Sequence, residues 1–135
     1  MIYGIRTATL AILVTAILGC VGDVLSSSHS TRADAAETIN RGWIPAVLPE
    51  SATDIRESHN LDTNVGHGTF AFGAVDAASF KARLVPAHAG HPVRAKSRAA
   101  LEKSGYVFYR HEDFDIAVNW RDGKGQFWLG LLNEA

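Results

Sequence analysis

The clearest pattern of hydrophobic and polar positions lies in the last third of the chain. Three runs there, Tyr106–Arg110 (YVFYR), Phe114–Arg121 (FDIAVNWR) and Gln126–Leu132 (QFWLGLL), are rich in aromatic and β-branched residues, the types that suit a pleated, half-buried surface. In the middle run Ile116, Val118 and Trp120 alternate with Ala117, Asn119 and Arg121, a period of two. His111-Glu112-Asp113 supplies a turn before it and Asp122-Gly123-Lys124-Gly125 a hairpin turn after it, because glycine tolerates positive φ. The pattern predicts an antiparallel meander with one buried and one wetter face.

Upstream, Ser51–Asn64 carries two signals. Ser51 and Asp54 have the spacing of a capping box, which would open a short helix. Yet Ile55, Glu57, His59 and Leu61 alternate with Asp54, Arg56, Ser58 and Asn60, which favours a strand. Gly66 and Gly68 then predict a turn, and Thr69–Gly73 a second strand with Phe70 and Phe72 on one face. Asp76 is placed to cap a helix over Ala77–Leu84, with Ala77, Phe80 and Leu84 on its apolar stripe and Lys81 and Arg83 pointing away. Val85–Ser97 reads as a loop, and Arg98–Lys103 as a short helix capped by Ser97 and ended by Gly105. The order β-β-α-(α)-β-β-β predicts an α+β fold. It would be a small two-layer domain, an antiparallel sheet of about five strands with one or two helices packed on it.

Before that domain the pattern changes. Trp43-Ile44-Pro45-Ala46-Val47-Leu48-Pro49 holds two prolines four residues apart, which excludes a regular helix and predicts an extended hydrophobic strap. Val21–Asn40 is small, polar and without periodicity, with Ser26-Ser27-Ser28 at its centre, and reads as a flexible tether with at most a helical turn over Ala33–Thr38. Arg6 precedes an apolar run from Ala8 to Gly19, matching the charged and hydrophobic regions of an export signal. The run ends Ile17-Leu18-Gly19-Cys20, which resembles the bacterial lipobox. That resemblance implies cleavage before Cys20 and acylation of it, and two or more acyl chains hold a protein on a membrane for long times. An uncleaved anchor over residues 7–22, and an ordinary signal peptide cut near Ala33–Ala36, are the alternatives. The expected organisation is a lipoprotein signal peptide over 1–19, lipidated Cys20 and tether over 20–41, and a single domain over 42–135. The protein would be exported and held on the envelope, on the outer membrane facing the periplasm in a Gram-negative cell.

GWIPAVLPESATDIRESHNLDTN and the TFAF strand that follows it resemble a group of uncharacterised bacterial lipoproteins with a YbbD-type head domain. The resemblance runs from Gly42 to Leu84 and is carried by Leu-Pro-x-Ser-Ala-x-x-Ile and Asn-Leu-Asp-Thr-Asn. It implies an envelope location and brings no established activity or catalytic residue with it.

Composition narrows the function classes. With 47% hydrophobic and 20% charged residues the chain is globular rather than disordered. A formal net charge of −1 argues against a nucleic-acid partner, which needs a basic surface. A single cysteine cannot form an internal disulfide. Asn60, Asp62 and Asn64 have the oxygen spacing of a calcium loop, but Val65 and Ala71 stand where its glycine and its bidentate glutamate belong, so a polar turn with Asx hydrogen bonds is expected. Six histidines raise a metal site, with His59 and His67 flanking the first hairpin as its candidates; His88 and His91 sit in a Pro/Gly loop without a ligand motif. Glu112, Asp113 and Asp115 are an acidic cluster near His111, and no GxSxG elbow or phosphate loop is present. The expectation is a lipid-anchored, non-enzymatic binding or structural module without cofactor, whose exposed Trp43, Trp120 and Trp128 would offer a surface to an envelope protein partner. The alternative is a small envelope hydrolase or metal-binding protein using His and Asp/Glu residues.

Overall fold

A computed structural model describes residues 23–87 and 95–130. The signal peptide, Cys20, His88 and His91 lie outside them. Seven strands form one antiparallel sheet: β1 (Val24–Thr31), β2 (Thr53–Asn60), β3 (Val65–Ala71), β4 (Val85–Pro86), β5 (Val107–His111), β6 (Phe114–Asn119) and β7 (Lys124–Leu129), in the order β1-β2-β3-β7-β6-β5-β4. Among the described residues, three α-helices, α1 (Ala36–Asn40), α2 (Ala77–Ala82) and α3 (Ala95–Lys103), and a 3-10 turn over Ala74–Asp76 complete the fold. Two expectations change here. The sheet has seven strands rather than five. The segment read as a flexible tether contributes β1 and α1, so the folded part begins before Gly42. Of the serines that suggested a tether, Ser26, Ser28 and Ser30 face solvent on an edge strand, where polarity is what the position requires, while Ser27 is half-buried.

The predicted C-terminal meander is present, with His111 paired to Phe114 across a turn at Glu112-Asp113 and Asn119 paired to Lys124. Its middle strand is not wet on one side, however: every residue of β6 is buried. Ile116, Val118, Tyr109 and Phe127 join Ile55, Phe70, Phe72 and Phe80 on one face. Phe108, Ala117 and Trp128 pack on the other with Leu101 of α3. Helices therefore cover both faces of this half of the sheet, where a two-layer arrangement was expected.

Within Ser51–Asn64 the strand that the alternation suggested runs over Thr53–Asn60, with Ile55, Glu57 and His59 buried, and Leu61 lies beyond it, exposed in the turn. Gly66 and Gly68 are not a turn; they lie inside β3. A methyl group on Gly68 would stand 2.2 Å from Phe127 Cζ, and one on Gly125 2.1 Å from Phe70 Cζ. Both glycines are flat places where a core ring rests on the backbone. The turn before β3 instead uses Asn60, whose side-chain oxygen accepts from the backbone N–H groups of Asp62 (2.9 Å) and Thr63 (3.1 Å). The Asx turn expected there is observed.

The strap over Trp43–Pro49 covers the main core, with Ile44, Pro45, Val47, Leu48 and Pro49 buried. Arg32 fixes it by donating from its guanidinium to the carbonyls of Leu48 and Ala46, each at 2.9 Å. In α2, Phe80 is buried while Lys81 and Arg83 are exposed, as predicted. Asp76 holds the N-cap position without capping the helix; its carboxylate accepts from the Ser51 backbone N–H (3.0 Å) and Ser51 Oγ accepts from Gly73 N–H (3.0 Å). These bonds with Ser51 hold the Asp76 carboxyl below its ordinary pKa. Helix α3 starts at Ala95, so Ser97 lies within it rather than capping it, and Gly105 (φ +95°) follows its end as expected.

Candidate functional site

Strand β2 brings two polar side chains onto the face that elsewhere holds the core. Its inward positions are Ile55, Glu57 and His59, and Glu57 and His59 are 3% and 8% exposed. Burying such groups is costly unless each finds a partner. The partners come from β1, whose Ser27 pairs with Glu57 and whose Leu25 pairs with His59 in register. Ser27 Oγ donates to Glu57 Oε2 (2.9 Å), and His59 Nδ1 meets Glu57 Oε1. His29 Nε2 lies 3.0 Å from Ser27 Oγ and 3.3 Å from Thr38 Oγ1 of α1. Because the Ser27 hydrogen goes to Glu57, Ser27 accepts from His29, which places the His29 proton on Nε2. An ionised carboxylate only accepts, so His59 Nδ1 carries the hydrogen in its contact with Glu57.

Trp43 closes this row from above. Its ring stacks on the His59 imidazole with centroids 3.9 Å apart and planes 11° from parallel. Gly42 sends it there. The backbone N–H of Trp43 donates to the Thr38 carbonyl and that of Gly42 to the Ile39 carbonyl, the paired bonds that end a helix on a left-handed residue, and Gly42 has φ +85°. Opposite, Gly66 leaves room for the stack, since a methyl group on it would stand 3.3 Å from His59 Cβ and 3.6 Å from Trp43 Cε3. Leu25, Ser26, Ser27, Thr38, Arg41 and Leu61 join these side chains around an open depression of about 380 Å³.

The sequence-derived candidates separate. His59 and His67 do not meet: His59 pairs with Gly66 and His67 with Ser58, so the two imidazoles stand on opposite faces of the sheet. Among the described residues, no group of three or more His, Cys, Asp or Glu side chains is placed to hold a metal ion. The three tryptophans form no single patch. Trp43 lies over β2, and Trp120 is packed against Phe72, Phe80 and Tyr109 and donates to the Tyr109 hydroxyl (2.9 Å). Trp128 is 8% exposed beside Phe108 on the other face. The acidic cluster also divides, since Glu112 and Asp113 are exposed in a turn whereas Asp115 is buried with Arg110 Nε 3.6 Å away.

Sequence reasoning missed Ser27, His29 and Thr38, which lay in the supposed tether, and it treated Glu57 as one position of an alternation. The available signal was the content of that alternation: a Glu and a His on the apolar phase of a strand require polar partners on the neighbouring strand.

The family model of the YbbD head domain matches residues 23–71, about a third of the 135-residue chain. The resemblance expected over Gly42–Leu84 is thus found, shifted toward the N-terminus to take in β1 and α1. The match spans every residue of the row from His29 to His59. No curated protein and no solved structure matches the chain.

Proposed function

We propose that the chain is a lipid-anchored binding module of the bacterial envelope, held by acyl chains on Cys20, that takes its ligand in the depression under Trp43. The observation that carries this reading is the buried pair Glu57–His59, roofed by an indole ring and open to solvent at a rim of Leu25 and Leu61. An aromatic plane beside a carboxylate and several hydroxyls suits a sugar ring, which offers an apolar face of C–H groups and hydroxyl donors.

The wiring supports binding over hydrolysis. A nucleophilic serine needs a base that takes its proton and a carboxylate that orients that base. Here the Ser27 hydroxyl hydrogen is directed at Glu57 itself, and the imidazole held by Glu57 is His59, not the His29 beside Ser27. The order of groups is that of a hydrogen-bonded support rather than a relay.

Two measurements on the full chain test the reading. Metabolic palmitate labelling and detergent partition should be present in the wild type and lost in Cys20→Ala; equal behaviour of both refutes the anchor. Titration with N-acetylglucosamine oligomers should change the tryptophan fluorescence of wild type and of Trp120→Phe, and leave that of Trp43→Ala unchanged. A wild-type signal flat to millimolar saccharide refutes the ligand class.

A further inference from the structure

The exposed large hydrophobic residues gather at one end of the sheet. Val24, Leu25, Leu61 and Val85 are 49%, 51%, 49% and 62% exposed. They stand where β1 begins, where β2 enters its turn, and where β4 pairs with the end of β5. They are four of the six such residues among the described ones, the others being Val75 and Val107. The same end carries Asp23, Asp62, Glu112 and Asp113, all exposed, together with the half-buried His111. The stretches 23–25, 60–65 and 111–114 contain no Lys or Arg, and Arg41, which lines the depression beside Leu25 and Leu61, is paired with Glu37.

This end is also the one nearest Cys20. The Asp23 carbonyl already accepts from Leu61 N–H at 3.0 Å, so the sheet takes hold of the chain at residue 23. Three residue steps separate Asp23 from Cys20, a reach of at most about 11 Å when fully extended. An anchor this close leaves no slack to hold the domain away from a membrane.

We propose that this end of the sheet is a docking surface for the bilayer itself, one whose headgroups are zwitterionic and carry an ammonium group. The proposal rests on the acylation of Cys20. Val24, Leu25 and Leu61 enter the interfacial zone beside the anchor, as apolar side chains do when acyl chains bring them there. The carboxylates of Asp23, Asp62, Glu112 and Asp113 lie at headgroup level, where ammonium groups attract them and anionic lipids repel them. Leu25 and Leu61 also line the depression, so its mouth opens beside the headgroups and its ligand is taken from the membrane surface.

The test uses the full acylated chain in phosphatidylethanolamine/phosphatidylcholine vesicles, with an environment-sensitive fluorophore on Thr63→Cys or on Arg121→Cys. Thr63 lies in the turn at the docking end, and Arg121, 91% exposed, in the turn at the opposite end. A nitroxide lipid should quench the label at 63 several-fold more than the label at 121. The difference should shrink when Val24, Leu25 and Leu61 are all changed to serine, or when phosphatidylglycerol replaces the zwitterionic lipid. Equal quenching at both positions, in a chain that partitions into detergent, overturns the docking surface and leaves the anchor standing. A chain that does not partition into detergent overturns both.

Discussion

Gly68→Ala and Gly66→Ala are the same chemical change two residues apart on the same face of β3, and they should differ sharply. A methyl group on Gly68 meets Phe127 at 2.2 Å (Cζ) and 2.8 Å (Cε1), and the Arg56 carbonyl oxygen at 2.3 Å. Ordinary non-bonded contacts between carbon atoms are about 3.5–4.0 Å, so the overlap exceeds an ångström on two sides. One obstacle is a fully buried ring and the other is the backbone of the neighbouring strand, so neither side can simply swing away in a close-packed core. Overpacking of this kind costs about 1–3 kcal/mol for each adjustment, which places Gly68→Ala near ~3 kcal/mol or above. The nearest atom to a methyl group on Gly66 is His59 Cβ at 3.3 Å. That neighbour has to give by only a few tenths of an ångström, and alanine's smaller unfolded-state entropy returns roughly 0.4–1 kcal/mol, so the net change should be close to zero. In a domain of this size each kcal/mol moves the midpoint by about 4–8 °C, so thermal unfolding followed by circular dichroism should show a fall of roughly 12–24 °C for Gly68→Ala and a few degrees at most for Gly66→Ala. Similar midpoints for the two variants would refute the account of Gly68 as a seat for Phe127.

Two further predictions follow from the loops that place the site. Gly42→Ala puts a side chain at φ +85° in otherwise open space, so its cost is backbone strain alone, about 1–2 kcal/mol. Gly42→Asn should cost visibly less, because asparagine tolerates the left-handed region; equal losses in urea midpoint would argue against the helix-ending role that positions Trp43. Asp76→Ala removes the acceptor for Ser51 N–H. The hydrogen bonds with Ser51 hold the folded-state pKa of Asp76 below its ordinary value. Its contribution is therefore complete above that value and is lost as pH falls through the lower folded value. Denaturant midpoints of wild type and variant should differ at pH 7 and converge in strong acid, and a constant difference across that range would contradict the assignment.

Much of the fold was legible in the sequence because β5–β7 announce themselves. Their runs are rich in aromatic and β-branched residues and their turns use Asp, Glu and Gly, so local propensity alone names the elements. The left half of the sheet was harder to read for a physical reason. An edge strand has one neighbour and a solvent face, so Ser26, Ser27, Ser28 and Ser30 need no hydrophobic period, and the same composition describes a linker. Gly66 and Gly68 misled in the opposite direction. Glycine marks a turn through its backbone freedom, but it also marks a strand on which a ring must rest, and only the tertiary partner distinguishes the two. The site followed the same division. His59 was a visible candidate, whereas Ser27, His29 and Thr38 acquire meaning only once β1 pairs with β2 in the register that sets Ser27 against Glu57.

That division also suggests how labour is shared within the domain. Around β6, apolar packing on both faces supplies rigidity, and every position of that strand is committed to burial. Around β1 and β2 the same face that could have continued the core carries Glu57 and His59 with a chain of hydroxyl and imidazole partners instead. Replacing a buried polar pair by well-packed apolar residues is often neutral or stabilising, so stability alone gives no reason for Glu57 and His59 to stand on a core-facing phase. The polar row occupies the edge of the sheet, beneath a single indole ring and beside exposed leucines, where the depression opens to solvent away from the packed half. The YbbD head-domain match covers this half and stops at the end of β3. The packed strands then act as the foundation that fixes β3, on whose Gly68 the Phe127 ring rests, and β3 in turn holds β2 in register.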